Sequence, residues 1–291
     1  MLRDYADDPA AREMIARADA LLGFPLSTLC AEGPEDTLRQ TRNTQPAIFL
    51  HSVVALRCLR DLRPAMAAGH SLGEYAALVA AGALHWEDAL RLVRLRGELM
   101  QRAGEEQRGT MAAVIGLESG AVEELCAEAA ATGVVQPANF NSPGQVVISG
   151  SVAGVQRAMA LAKERGAKMT KELVVSGAFH SPLMQSACEG LRKALEETPV
   201  DDPKIPVYAN VTAEPVTSAA AVRDLLHRQL TSPVRWEDSV RNMARDGATA
   251  MIEIGPGKVL QGLARRTVAS LQVSGVDTLA DVRRSAEVYG D

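Results

Sequence analysis

Gly69-His70-Ser71-Leu72-Gly73 sets a serine between two glycines, the spacing of a nucleophile elbow. The glycines let the chain turn sharply and lift the serine Oγ clear of the end of a strand. A serine hydroxyl is a weak nucleophile at its ordinary acidity, so the elbow needs a base to take its proton. The chain offers five histidines. His70 is the serine's own neighbour, so its side chain should point elsewhere. His51 lies in a helical stretch, His85 follows an expected helix end, and His227 sits in a polar helix. His180 is different, because Gly177-Ala178-Phe179-His180-Ser181 is a loop between an expected strand and an expected helix. Such loops gather at one rim of an α/β sheet. Ser71 with His180 is the pair this sequence offers for covalent chemistry. A glycine-rich turn with an incidental serine fits the same letters, so the flanking elements decide.

Those elements follow from apolar spacing. Met14, Ile15, Ala18 and Leu21 predict a helix over Pro9–Leu22, with Pro9 in its first turn and Gly23 at its stop. A second helix is expected from about Pro46 to Leu62, ended by Pro64. The run 65–68 then reads as a buried strand flowing into the elbow, and a helix begins through Tyr75, Leu78 and Val79. Strand, tight turn and helix are the context the motif requires. Farther on, strands are expected at Met111–Leu117, Val134–Ala138, Gln145–Ser149 and Lys168–Leu173. Helices lie between them, one capped by Ser119 and ended by Gly133, the other over Val152–Arg165. The order β-α-β-β-α-β is the ferredoxin-like motif. A helix follows over Pro182–Glu197, a strand over Pro206–Asn210, and helices near Ala220–Leu230 and Trp236–Asp246. Ala250–Ile254 reads as a short strand, after which Gly255-Pro256-Gly257 turns the chain into a last helix. The expected class is α/β: a hydrolase-like core with a mostly parallel sheet, from residues 1–110 and 174–291, with an inserted ferredoxin-like α+β domain at 111–173.

Composition narrows the function. Hydrophobic residues at 47% and charged residues at 23% are ordinary for a globular chain of 291 residues. Aromatics at 3% leave few stacking platforms for single-stranded nucleic acid, and a net charge of −5 argues against a general polyanion binder. Cys30, Cys58, Cys126 and Cys188 form no Cys-x-x-Cys pair, so a zinc ribbon, redox pair or disulfide framework is not expected. No metal or cofactor is expected. No apolar run approaches bilayer length, and Asp4, Asp7 and Asp8 suit neither a signal nor a transit peptide. The expected location is the cytoplasm, away from membranes.

Gly-His-Ser-Leu-Gly-Glu at 69–74, followed by Tyr75-Ala76-Ala77-Leu78, resembles the signature of malonyl-CoA:acyl-carrier-protein transacylases. Other segments match in order: Asn43-Thr44-Gln45-Pro46-Ala47, Arg96-Gly97-x-x-Met100, Asn139-x-Asn141-x-Pro143-x-Gln145, Gly177-Ala178-Phe179-His180-Ser181, Pro233-Val234-Arg235-Trp236 and Gly255-Pro256-Gly257-Lys258-Val259-Leu260. The resemblance covers nearly the whole chain. It implies a monomeric acyltransferase that moves malonyl from malonyl-CoA to the pantetheine thiol of acyl carrier protein, by way of an ester on Ser71. His180 would be the base, oriented by the backbone carbonyl of Gln229 rather than by a carboxylate. Arg96 would grip the free carboxylate of malonate, which a planar guanidinium can hold with two charge-assisted hydrogen bonds. Phe179 would narrow the pocket at the malonyl α-carbon, where methylmalonyl-selecting relatives resemble Tyr-Ala-Ser-His. Asn139 and Asn141 either support the acyl pocket or serve as turn residues.

One departure stands out. Members of the family open with a buried strand and Gly-Gln-Gly-Ser-Gln, whose first glutamine donates a backbone N–H to the oxyanion hole. This chain starts with what resembles the segment just after it, so the expectation is that the strand is lacking and that the Leu72 N–H remains of the donor pair. A form extended upstream by that segment is expected to be the more active. Two other classes stay open: a serine esterase or thioesterase using the same pair on a neutral substrate, and an impaired remnant that binds carrier protein. Arg96 discriminates against the first, since a neutral ester has no use for a buried cation.

Overall fold

Helix α1 (Pro9–Leu22) starts where the Asp8 carboxylate accepts the Ala11 N–H at 2.9 Å, and it stops at Gly23, whose φ is 69°. Two short helices, α2 (Leu26–Glu32) and α3 (Glu35–Leu38), lead to α4 (Thr41–Cys58). The computed structural model describes residues 1–59 and 62–289. Helix α4 corrects the expected start at Pro46, which lies inside it. Proline has no N–H to donate back to the Arg42 carbonyl. That carbonyl instead accepts from Arg94 Nη1 at 2.8 Å, so the helix continues through the proline. It ends at Cys58 rather than near Leu62, because Leu59 leaves the helical region.

Strand β1 (Ala67–Ala68) enters the elbow, and α5 (Gly73–Ala80) leaves it. Helix α6 (Trp86–Glu106) then packs along α4. Strands β2 (Gly109–Ile115), β3 (Val135–Ser142), β4 (Gln145–Ser151) and β5 (Met169–Glu172) alternate with α7 (Ser119–Ala129) and α8 (Val152–Glu164). They form an antiparallel sheet in the order β3-β4-β2-β5, the ferredoxin-like arrangement. The sheet has an apolar core of its own, in which Val114, Val122, Leu125, Val146, Ile148 and Val155 are fully buried. Ser151 caps α8 through the Gly154 N–H at 3.2 Å, whereas Ser119 is the first residue of α7 and makes no capping bond.

The chain returns to the core with α9 (Gln185–Glu197), β6 (Val207–Tyr208), β7 (Pro215–Val216), α10 (Ala219–Arg228) and α11 (Trp236–Arg245). It finishes with β8 (Ala250–Ile254), α12 (Val259–Thr267), β9 (Gln272–Val276) and α13 (Leu279–Tyr289). Parallel pairs dominate here: β1 with β6 and β8 with β9, while β7 joins β6 antiparallel. β1 and β6 are shorter than their apolar runs suggest, for a local reason. The Gly69 carbonyl accepts from Asn210 Nδ2 at 2.7 Å, and the Asn210 N–H goes to Glu74 Oε2 at 3.1 Å, so side chains replace the ladder. β9 and α13 were not expected from the sequence. Ser274 and Gly275 interrupt the apolar run of β9, and only its register beside β8 makes it a strand.

The two bodies join through backbone. Val234 donates its N–H to the Ala138 carbonyl at 2.8 Å, and its own carbonyl accepts from Phe140 at 2.9 Å, which ties β3 to the loop after α10. Among the described residues no single helix is long and apolar enough to cross a membrane. Because the small sheet carries a separate core, Ile148→Ala should lower unfolding stability by about 2–5 kcal/mol. Urea denaturation checks this, and a change below about 1 kcal/mol would mean that the site collapses around the gap.

Candidate active site

Ser71 sits between β1 and α5 with φ at 50°, a left-handed conformation that a side chain adopts only under constraint. The tightness of the turn shows at Gly69, where an added Cβ would lie 2.0 Å from the Gly73 backbone. Two side chains hold the backbone of the strained residue. Its N–H donates to Asn210 Oδ1 at 2.6 Å, and its carbonyl accepts from Gln229 Nε2 at 3.0 Å. Leu72 follows at the start of α5 with helical angles. Its N–H has no residue behind it in the helix to receive it. The N–H groups on either side are engaged, Ser71 with Asn210 and Gly73 with the His70 carbonyl.

His180 lies far along the chain but meets the elbow directly, with Nε2 2.8 Å from Ser71 Oγ. It too has a positive φ, 57°. Its Nδ1 is 2.8 Å from the backbone carbonyl of Gln229. A carbonyl can only accept, so Nδ1 carries the proton and Nε2 presents its lone pair to the serine. The Gln229 carbonyl is free for this because the residue caps the C-terminus of α10, where the last carbonyls lack helical partners. Gln136 of β3 donates to the His180 carbonyl at 2.8 Å and so braces the loop from the small sheet. Burial, with the Arg96 charge second, lowers the His180 imidazole to about 3.

Arg96 stands on the buried stripe of α6, between Val93 and Met100, and is 1% exposed. Nη1 donates to Gln45 Oε1 at 2.6 Å, and Nη2 donates to Ser71 Oγ and Gln229 Oε1, both at 2.9 Å. The serine oxygen therefore lies between a neutral imidazole that can take its proton and the guanidinium of Arg96. Such a centre can attack a carbonyl and carry the acyl group as an ester.

The other residues singled out from sequence fall around this centre. Phe179 packs between the main core and a patch of Met111, Ala138 and Val147 on the small sheet. Asn139 is buried on β3 and pairs through its backbone with Val234. Asn141 Oδ1 lies 2.8 Å from His70 Nε2, so His70 does point away from the serine, toward the small sheet. Leu72 is half-buried against the main core. Among the described residues no group of three or more His, Cys, Asp or Glu is arranged to hold a metal.

Sequence reasoning missed Gln45, Glu74, Asn210 and the side chain of Gln229. Glu74 had left a trace: it stands four residues before the buried Leu78, on the face of α5 that enters the core, where a carboxylate needs a reason to be.

Residues 2–288 match the acyl transferase domain family. The malonyl CoA-acyl carrier protein transacylase of Haemophilus influenzae is 46% identical over 285 residues, covering 96% of this chain and 91% of that protein. Its namesake from Escherichia coli K12 is 45% identical over 281 residues, covering 95% and 91%. Among solved structures, an acyl carrier protein S-malonyltransferase from Vibrio cholerae superposes with a TM-score of 0.94 at 45% identity, covering 98% of this chain and 94% of that one. A malonyl-transacylase in complex with a type II polyketide-synthase acyl carrier protein superposes at 0.95 with 41% identity, covering 99% and 94%.

The depressed basicity of His180 has a direct spectroscopic consequence. A folded-state value of about 3 keeps the ring neutral well below the ordinary histidine range near 6.5. The His180 ring ¹⁵N shifts should stay those of the neutral, Nδ1-protonated tautomer from pH 8 down to pH 5. Titration of this ring near pH 6.5 would show that neither burial nor Arg96 governs it.

Proposed function

The chain belongs to the acyl transferase domain family, among its malonyl-CoA:acyl-carrier-protein transacylases, and from that premise we propose how its own residues carry the reaction. It moves a malonyl group from malonyl-CoA to acyl carrier protein. In our reading Ser71 is the nucleophile. As its Oγ attacks the thioester carbonyl, the hydroxyl proton passes to His180 Nε2, and the CoA sulfur leaves with that proton. The malonyl group rests on Oγ as an ester. The pantetheine thiol of the carrier protein then gives its proton to His180 and attacks the ester, and collapse of the adduct returns the proton to Ser71. The Leu72 N–H is the donor we assign to the oxyanion, because its neighbours' N–H groups are already engaged.

One observation carries this reading: a fully charged guanidinium is buried within hydrogen-bond reach of the nucleophile. A neutral acyl group would gain nothing from it, whereas malonyl brings a carboxylate to be neutralised. In the free site Arg96 Nη2 is occupied by Ser71 Oγ and Gln229. Acylation turns Oγ into an ester oxygen, a poorer acceptor, and releases Nη2 toward the malonyl carboxylate. We assign Phe179 to the wall beside the malonyl α-carbon and Asn139 to the support of that wall. Among the described residues no carboxylate completes a triad, and the Gln229 carbonyl faces His180 Nδ1 in its place.

Two variants test the assignment. Ser71→Ala should form no malonyl-enzyme with malonyl-CoA, as read by intact-protein mass spectrometry; a malonylated Ser71→Ala protein would move the nucleophile elsewhere. Arg96→Ala should slow malonyl transfer by roughly one to three orders of magnitude, at about 1.5–3 kcal/mol for each charged hydrogen bond lost. Acetyl transfer should be spared or improved. Equal losses for the two acyl groups would reduce Arg96 to a structural part.

A further inference from the structure

We propose that Glu74 is the positioning residue of this site: one oxygen of its carboxylate holds both Gln229 and Asn210, and these two hold Arg96, His180 and Ser71. The inference rests on the roles given above to the last three. Glu74 is 3% exposed in the first turn of α5. Its Oε2 accepts from Gln229 Nε2 at 2.7 Å and from the Asn210 N–H at 3.1 Å. A first-turn acid serves the helix dipole equally well at the surface. Burial of this one calls for another reason, and its two partners supply it.

The orientation of the Gln229 amide matters because its two ends do opposite things. Nε2 donates to the Ser71 carbonyl at 3.0 Å, while Oε1 accepts from Arg96 Nη2 at 2.9 Å. A flipped amide would set its oxygen against the Ser71 carbonyl and its NH₂ against a guanidinium. Glu74 enforces the correct sense, since a carboxylate oxygen facing Nε2 can only accept. The same oxygen fixes the backbone of Asn210, whose Oδ1 receives the Ser71 N–H and whose Nδ2 reaches the Gly69 carbonyl. One acceptor thus aligns the cation that reads the substrate and clamps the strained turn that presents the nucleophile. Burial raises the carboxyl to about 7, against the opposing pull of the Gln229 and Asn210 bonds and of Arg96. A protonated carboxyl still offers an acceptor oxygen to the same two donors, so what positions the site is where that oxygen sits.

This makes the two conservative variants behave in opposite ways. Glu74→Gln keeps an acceptor oxygen at full reach and loses the charge. Glu74→Asp keeps the charge and draws the oxygen back by one methylene. Both retain a polar group in the buried place, which favours folding. The experiment is single-turnover acylation of Ser71 by malonyl-CoA and by acetyl-CoA, followed by mass spectrometry. Glu74→Gln should stay within about 3-fold of the native rate. Glu74→Asp should slow malonyl acylation by roughly 10- to 100-fold, the effect of leaving a buried donor without its acceptor, and should lower the malonyl-to-acetyl ratio. Gln229→Leu should do the same, and the Glu74→Asp/Gln229→Leu double variant should be no more than about 3-fold slower than the slower single one, because one acts through the other. The proposal is overturned if Glu74→Gln is as slow as Glu74→Asp, if the acyl ratio does not move, or if the two losses multiply. Ser71→Ala serves as the control. Its acylation would sink the assignment of the nucleophile, whereas loss of acylation there with an unchanged Glu74→Asp sinks only this inference.

Discussion

A guanidinium cannot shed its charge inside a protein, and Arg96 is buried to within 1%. Removing such an ion from water costs several kcal/mol unless polar partners replace the solvent. Most of the site answers that demand. Gln45 takes one terminal nitrogen, and Gln229 and Ser71 share the other. Across Gln229 lies the buried carboxylate of Glu74, and the face of Tyr75 stands 5.9 Å from the guanidinium carbon. The same charge reaches His180, where it joins burial in keeping the ring neutral.

These partners come from distant parts of the chain. Gln45 arrives on α4, Arg96 on α6, His180 on the loop before α9, Asn210 after β6 and Gln229 at the end of α10. The elbow is the point where they cross. The small sheet belongs to the same construction: Gln136 braces the His180 loop, and Asn141 holds His70. Both residues sit on β3, the edge strand that also bonds to Val234 of the core. The small sheet is therefore one wall of the site, and a shift of that sheet would be felt at His180.

Much of this could be read beforehand. The Ser71–His180 pairing followed from a glycine-flanked serine and one loop histidine, because both depend on local turn chemistry. The β-α-β-β-α-β order followed from apolar periods that change with each element. Boundaries were harder. Pro46 looked like a helix start because proline breaks local hydrogen bonding, yet a side chain from α6 repaired the break. The last strand was hidden because its apolar run is interrupted, and its pairing with β8 is a long-range event.

Short-range chemistry is what the amino-acid sequence by itself determined: where the chain must turn, which serine the turn exposes, which stretches are amphipathic, and which family signature they spell. Only the tertiary structure decided how the polar residues of the interior are matched. Gln45, the side chain of Gln229, Asn210 and Glu74 are ordinary letters in a helix, a helix end, a strand end and a first turn. Their roles arise because a buried donor or acceptor left without a partner within about 3 Å costs free energy. That condition is imposed by packing between segments far apart in the chain, 158 residues in the case of Ser71 and Gln229. Periodicity and propensity carry no record of such distances, so the pairing of these groups exists only once the elements have closed around them.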